Sequence, residues 1–311
     1  MNPTIESVTP VRRALLDLRG VTPYVLVLPA LMVLLGLRGY PLYQLLLTSF
    51  ERYNLRELIS GQGVWIGLDN YATIFKDPVF WNVTGRSLLF TAANVGLTMV
   101  TATLIGLLMQ RVWPWVRLAL MAVMVFVWAT PVVVAIDIWQ WMFDYEFGVV
   151  NWSLTTLRVG DFIHHNWFER PWEGFMVITL VVVWGAIPFV AITLYAGLTQ
   201  VPIDQIEAAR VDGAGAWAIF WGVTFPTLRP LFMILASLST IWDFQVFNQI
   251  WILLNARPTP DYYLMGVYSF VASFRTDHFG LGSAIAVVMV LISLGMTVSY
   301  LKQLMASGGV E

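Results

Sequence analysis

Asp137 and Asp243 are carboxylates set inside long apolar runs of the chain, where an ionisable side chain is costly and therefore a functional hypothesis by default. Around Asp243 stand Ser239, Trp242, Gln245, Asn248 and Gln249. A carboxylate, amides and a hydroxyl supply acceptors and donors for hydroxyl groups, and an indole offers an apolar face to a ring. That combination suits a sugar. The same set would also serve as an interhelical hydrogen-bond network, which membrane proteins use as glue. Asp137, beside Trp139 and Gln140, reads either as a solvated helix end or as a second pathway group.

Other chemistries find less support. The chain has no cysteine, which excludes disulfides, thiolate metal sites and a Cys nucleophile. A P-loop needs G-x-x-x-x-G-K-[ST], and the two lysines, Lys76 and Lys302, are followed by Asp77 and Gln303. His164 and His165 are adjacent and without an evident further ligand, so they read as loop residues and no metal is expected. Asp144, Glu146, Asp161 and Glu169 read as solvated acids or as contacts for a partner. A net charge of −2 with no basic block gives nothing for nucleic acid. A polytopic membrane enzyme using Asp137, Asp243 and the histidines stays open as an alternative, though those groups are scattered along the chain. A passive channel is a third reading.

A different kind of candidate is the stretch DQIEAARVDGAGAWAIFWGVTFPTLRP, residues 204–230. Asp204 with Glu207 three residues on is close to a capping box and predicts a helix start. Gly213 and Gly215 predict its end, because glycine accepts the left-handed conformation. The helix is about two turns long, and isolated helices below ~12 residues are marginal, so it needs a partner surface. Ala208 and Ala209 keep one side slim, and Pro226 and Pro230 are expected to start the next apolar helix. A surface helix with no partner is the plainer alternative.

The elements that must hold these groups are membrane spans. Of the 311 residues 58% are hydrophobic and only 12% charged, against about 25% charged in an ordinary soluble domain. A helix crosses the hydrocarbon core with about 20 apolar residues, and six stretches qualify, roughly 22–47, 85–109, 118–142, 174–199, 231–254 and 279–304. The expected fold is an all-α polytopic membrane protein. Residues 1–21 form a polar segment with Arg12, Arg13 and Arg19, too unlike a cleaved signal to be one; 22–305 form the six-helix domain, with 200–230 as a polar loop; 306–311 form a short tail. Segments 48–84, 143–173 and 255–278 are longer and rich in Trp, Asp and Glu. Trp65, Trp81, Trp113, Trp115, Trp167 and Trp172 lie near span ends, as an aromatic belt at the headgroups would. Lys and Arg divide almost evenly between the two sides. The turn QRVWPWVR, with Arg111 and Arg117, tips the balance toward cytoplasmic termini.

EAARVDGAGAWAIFWGVTFP resembles the EAA loop of permease subunits of binding-protein-dependent ABC importers, with Glu207, Ala208, Ala209, Gly213 and Pro226 on the motif and Val223 and Phe225 where Ile and Leu are usual. YPLYQLLLTSF, WIGLDNYATIFKDPVFWNVTGRSLLFT, DFQVFNQIWILL and GLGSAIAVVMVLI are similar to other parts of the sugar-type group, that of the maltose and glycerol-3-phosphate permeases, over roughly residues 22 to 305. LLNARPTP departs from the L-T-G-G-G-P usual after the fifth span.

The resemblance implies a type I ABC importer permease fold in the bacterial inner membrane, with both termini cytoplasmic. Residues Glu207, Ala208, Ala209, Asp212, Gly213 and Pro226 would form the cytoplasmic coupling element. The implied partners are a second permease, two ATPase subunits that bind ATP and Mg, an extracytoplasmic binding protein, the bilayer and a small sugar, with no cofactor in this chain. Gly185, Ala186 and Phe189 of WGAIPF, with Ser239, Trp242, Asp243 and Val246, map onto pathway-lining positions. A glycerol-phosphate, a polyol or another small solute is the alternative cargo. A carboxylate at Asp243 argues against a phosphorylated one, because like charges repel in low dielectric.

Overall fold

A computed structural model describes residues 24–307; the segment 1–21, with Arg12, Arg13 and Arg19, and the last four residues of the tail lie outside the described residues. In chain order the helices are α1 (Tyr24–Ser49), α2 (Leu55–Ser60), α3 (Asp69–Lys76), α4 (Pro78–Arg111), α5 (Pro114–Ala129), α6 (Val132–Met142), α7 (Val149–Thr156), α8 (Pro171–Leu198), α9 (Ile203–Val211), α10 (Ala216–Phe244), α11 (Asn248–Leu253), α12 (Met265–Phe274) and α13 (Phe279–Ser307). A two-residue antiparallel pair, β1 (Glu51–Arg52) with β2 (Val64–Trp65), frames the first long loop. The fold is a helical membrane bundle, as expected. Five helices are long and apolar enough to cross a bilayer, and α5 with α6 makes a sixth, broken span.

Proline chemistry accounts for three of the long helix starts and for two wide turns. Pro78, Pro114 and Pro171 each open a helix at its first position, where a missing N–H is no loss and φ is already helical. Asp77 completes the start of α4 by accepting a 2.9 Å hydrogen bond from the Val79 N–H. Two wide π turns, Leu35–Gly39 in α1 and Phe220–Thr224 in α10, lie just ahead of Pro41 and Pro226. Widening the turn accommodates a ring that would otherwise clash with the carbonyl four residues back.

Two span boundaries differ from the sequence reading. The third span is not a continuous 118–142 helix: α5 and α6 meet at 100° across Thr130 and Pro131. Thr130 is extended, with ψ 127°, as the residue before a proline tends to be, and its hydroxyl closes α5 on the Phe126 carbonyl at 2.8 Å. The fifth span does not run 231–254. It begins at Ala216, because the π turn carries the helix through Pro226, and it stops at Phe244; Asn248–Leu253 is a separate short helix. Pro226 and Pro230 therefore lie within helical structure and do not start it.

The core is built on α4 and α8, which pack along each other more extensively than any other pair. They approach closely because Ala102, Gly106 and Ala191 are small; a Cβ on Gly106 would sit 3.5 Å from the Tyr195 nitrogen and 3.6 Å from the Ala191 carbonyl oxygen. α5 flanks α8, α10 lies against α4, α8 and α13, and α12 lies on α13. α1 leans on α13 only toward its loop-bearing end, and every side chain from Tyr24 to Arg38 is exposed.

The α12–α13 crossing is equally tight. A Cβ on Gly282 would overlap the Ser273 hydroxyl and lie 2.8 Å from the Ser269 carbonyl oxygen, and Ser269 donates to the Gly282 carbonyl at 2.9 Å. Overpacking of this kind costs typically ~1–3 kcal/mol. Gly282→Val is thus expected to lower the melting temperature of the detergent-solubilised protein, whereas Gly295→Val, with open space around it, leaves the melt unchanged.

The long loops form a structured cap at one end. Asn70 ties the first by donating to the Ser49 and Glu51 carbonyls at 3.0 and 2.9 Å. His164 and His165 part company: one meets Glu146 at 3.4 Å, the other meets the buried Glu173 at 2.9 Å. Arg170 reaches the same Glu173 at 3.6 Å. Tyr262 donates to the Phe168 and Arg170 carbonyls. Burial, then the charges of Glu173 and Asp261, push its hydroxyl up to about 12, so it remains a neutral donor near neutral pH.

Candidate functional site

Two regions carry the residues singled out by sequence: the polar loop at one end of the bundle and a seam inside it. In the loop, α9 is nine residues long and starts at Ile203, after Pro202. Asp204 lies in its first turn, and no side chain caps it, so the capping box drawn from Asp204 and Glu207 does not form. The helix is held from below: Ile206 packs with Leu198, Val201 and Leu228. Its far end is a Schellman motif. Gly213 has φ +82°, its N–H bonds the Arg210 carbonyl at 3.0 Å, and the Ala214 N–H bonds the Ala209 carbonyl at 2.9 Å. Gly215 plays a different part than expected, at φ −72° in extended backbone, as the residue that starts α10.

Glu207, Ala208 and Asp212 are exposed, Ala209 is half-buried, and Pro226 lies exposed two residues past the π turn. Glu207 makes no hydrogen bond or ion pair with a described residue. The loop thus presents a slim polar helix on a glycine hinge, braced on the bundle by a single isoleucine.

The seam lies between α4 and α10. The buried face of α4 runs Phe80, Val83, Thr84, Ser87, Phe90, Thr91, Asn94, Thr98, Ala102, Gly106 and Met109, with all its polar members in the first two-thirds and small or apolar residues beyond. Thr84, Ser87 and the Asn94 amide satisfy carbonyls of their own helix, and Ser87 also accepts the Met265 N–H at 2.9 Å. The Thr91 and Thr98 hydroxyls, the Asn94 amide oxygen, the Ser239 hydroxyl and Asp243 Oδ2 are buried with no hydrogen bond to a described residue. α10 packs along this part of α4: Phe244 shares a cluster with Phe80 and Val83, and Leu235 with Ala102. Asp243 is 3% exposed and Ser239 1%.

The seven pathway positions divide between two surfaces. Gly185, Ala186, Phe189 and Trp242 are open or half-open, and nothing lies within 4 Å of a Cβ on Gly185. Ser239, Asp243 and Val246 face the interior of the chain. On the open side Trp128, Phe189 and Trp242 form a row of rings: Trp128 stacks on Phe189 at 6.4 Å and Phe189 meets Trp242 edge-on at 5.4 Å. Trp128 is 61% exposed and Trp242 47%.

Thr91, Asn94, Thr98 and Trp128 were not among the residues marked from sequence. A signal was present for the first three: polar residues at spacings of three and four along an apolar helix mark its inward face, because lipid takes the other. Asp137 is exposed on α6. Among the described residues no three of His, Asp and Glu gather as a metal site would require.

The family described as "binding-protein-dependent transport system inner membrane component" matches residues 102–307. A diacetylchitobiose uptake system permease of Streptomyces coelicolor is 41% identical over 91% of this chain and 86% of its own length. A sulfoquinovosyl glycerol transport permease of Agrobacterium fabrum is 33% identical over 89% of this chain and 88% of its own. A trehalose/maltose transport permease of Thermococcus litoralis is 30% identical, covering 76% and 79%. Among solved structures, one from a bacterial ABC transporter that imports the acidic polysaccharide alginate superposes with a TM-score of 0.77 over 94% of this chain and 98% of that one, at 18% identity.

Proposed function

The chain belongs to the family of binding-protein-dependent transport system inner membrane components, and on that premise we propose that it forms half of the translocation pathway of an ATP-driven importer for a mono- or oligosaccharide. It is a multi-pass permease subunit of an ABC importer. In this reading α9 and the Gly213 hinge face the cytoplasm, both termini lie on that side of a bacterial inner membrane, and the loop-bearing end receives the solute from a binding protein. A second permease completes the pathway, and two separate ATPase subunits bind ATP and Mg and hydrolyse the nucleotide. This chain contributes no cofactor and no catalysis of its own.

The observation that carries the sugar reading is the row Trp128–Phe189–Trp242 on the open face, backed by a buried seam of hydroxyls, an amide and a carboxylate. Aromatic faces suit the apolar side of a pyranose, and unpaired donors and acceptors suit its hydroxyls. The relatives named for sugar uptake support the same cargo class. Transport needs the seam and the ring row to meet the solute in one state and part from it in another. ATP drives that exchange by binding one state better than the other.

The test is ATP hydrolysis by the complex that co-purifies with the tagged chain, reconstituted in lipid with its binding protein and given one solute at a time. Diacetylchitobiose, maltose, trehalose and sulfoquinovosyl glycerol head the panel, followed by polyols and glycerol phosphate. Stimulation by a saccharide is the expected result. Stimulation by a polyol or phosphorylated solute alone would replace the cargo assignment, and flux without ATP through the isolated chain would replace it with a channel.

A further inference from the structure

At the end of the bundle that carries α9, a cavity of about 910 Å³ opens between the last three turns of α4, the coupling helix and the first part of α10. Its walls are apolar: Met99, Leu104, Leu107, Ile206, Phe220 and Phe232 are representative. Its charged lining consists of Arg111, at the end of α4, and Arg210, in the last turn of α9. Among the described residues no Asp or Glu lines it.

The arginines at this end are not equivalent. Arg117 is committed, donating to the Met109 and Val112 carbonyls and lying over the Tyr195 ring. Arg111 and Arg210 make no hydrogen bond or ion pair with a described residue. The acids of α9 and its end, Asp204, Glu207 and Asp212, stand outside the cavity lining. Gln110 is occupied by the Leu198 carbonyl at 3.1 Å. Two cations without a partner among the described residues therefore line one apolar slot.

The slot also has the reach of one leaflet. From Arg111 to Met99 is about 18 Å along the helix at ~1.5 Å per residue, slightly more than half of a ~30 Å hydrocarbon core. Val100, Leu104 and Trp217 on its walls are exposed, so in this chain the slot opens sideways as well as at its mouth. From this we infer that the cavity is a binding site for an anionic phospholipid of the inner leaflet, its phosphate held by Arg111 and Arg210 and one acyl chain laid between α4 and α10. Basic pockets between membrane helices on this side take such headgroups. An apolar slot of this depth excludes free phosphate as the occupant, since only the mouth would bind it. The site rests on the membrane orientation given above and is independent of the cargo. It would brace the coupling helix, which in this chain alone is held chiefly by Ile206.

The test uses the purified importer complex, incubated with equal amounts of phosphatidylglycerol and phosphatidylcholine and weighed by native mass spectrometry. Each arginine near the surface contributes roughly fivefold, so wild type is expected to retain the anionic lipid about thirtyfold over the zwitterionic one. Arg111→Gln with Arg210→Gln should lose that preference, and the Lys pair should keep most of it. Thr103→Phe, which fills the cavity without touching charge, should lower retention of the lipid with the arginines in place. Equal retention of both lipids by wild type, or a preference unchanged in both the Gln pair and Thr103→Phe, overturns the site. Displacement by inorganic phosphate as readily as by phosphatidylglycerol overturns it too. Lipid is counted without any ATPase assay, so failure here is separate from failure of the importer reading.

Discussion

Glu207→Ala is expected to leave the fold and its assembly with a second permease intact while lowering coupled uptake about thirtyfold or more, the ~2–5 kcal/mol that follows loss of one partner from an interfacial charged pair. The side chain is exposed and bonds to no described residue of its own chain, so the folded subunit loses nothing. Alanine is also the strongest helix former. Gly213→Val probes the same loop through the backbone. Nothing lies within 4 Å of a Cβ there, but φ is +82°, and an L side chain in that region costs about 1–2 kcal/mol. It should loosen the Schellman end of α9 and release ATP hydrolysis from its dependence on sugar. The measurement is sugar-stimulated ATPase activity alongside uptake in the same proteoliposomes. Full coupled uptake in Glu207→Ala, and again in Glu207→Lys, would remove the coupling role from this helix.

Asp243→Leu should separate stability from transport. Its Oδ2 is buried without a hydrogen-bond partner, and leaving such a group unpaired costs about 1–3 kcal/mol or more. Replacing it by an apolar side chain of similar size should therefore raise the melting temperature of the solubilised complex. Uptake should fall about tenfold or more, since a hydrogen bond to a charged group contributes ~1.5–3 kcal/mol. Asp243→Ala, which also leaves a cavity, should abolish uptake with the complex still assembled. Asp243→Asn keeps the shape and should fall between. A group that only glued helices together would behave differently, with uptake following stability in every variant. Uptake at the wild-type level in Asp243→Ala would exclude the residue from the pathway.

The chain itself states a good deal of this. Hydropathy alone marks the six apolar blocks, because transfer of about 20 apolar residues into hydrocarbon is a local property of each segment. The Gly213 hinge is equally local: a left-handed end to a short helix asks for glycine, and the sequence places one there. The prolines opening α4, α5 and α8 obey the same rule. Those features need no neighbour to be read.

What the sequence left open depends on neighbours. Hydropathy ran 118–142 together, because a sum over a window is blind to direction; the turn at Thr130 and Pro131 can only be seen once α6 lies across the bundle against α11. It placed the fifth span at 231–254, behind Pro226 and Pro230, because proline is read as a beginning, whereas a π turn let the helix begin at Ala216. It listed Ser239, Trp242 and Asp243 together, yet the rotation of α10 against α4 and α8 turned two inward and one out. The packing of α10 along α4, and the cavity that Arg111 and Arg210 both line, join positions some hundred residues or more apart. Spans are fixed by the free energy of leaving water, one segment at a time. Sites are fixed by how the spans bend and rotate against each other, and only packing decides that.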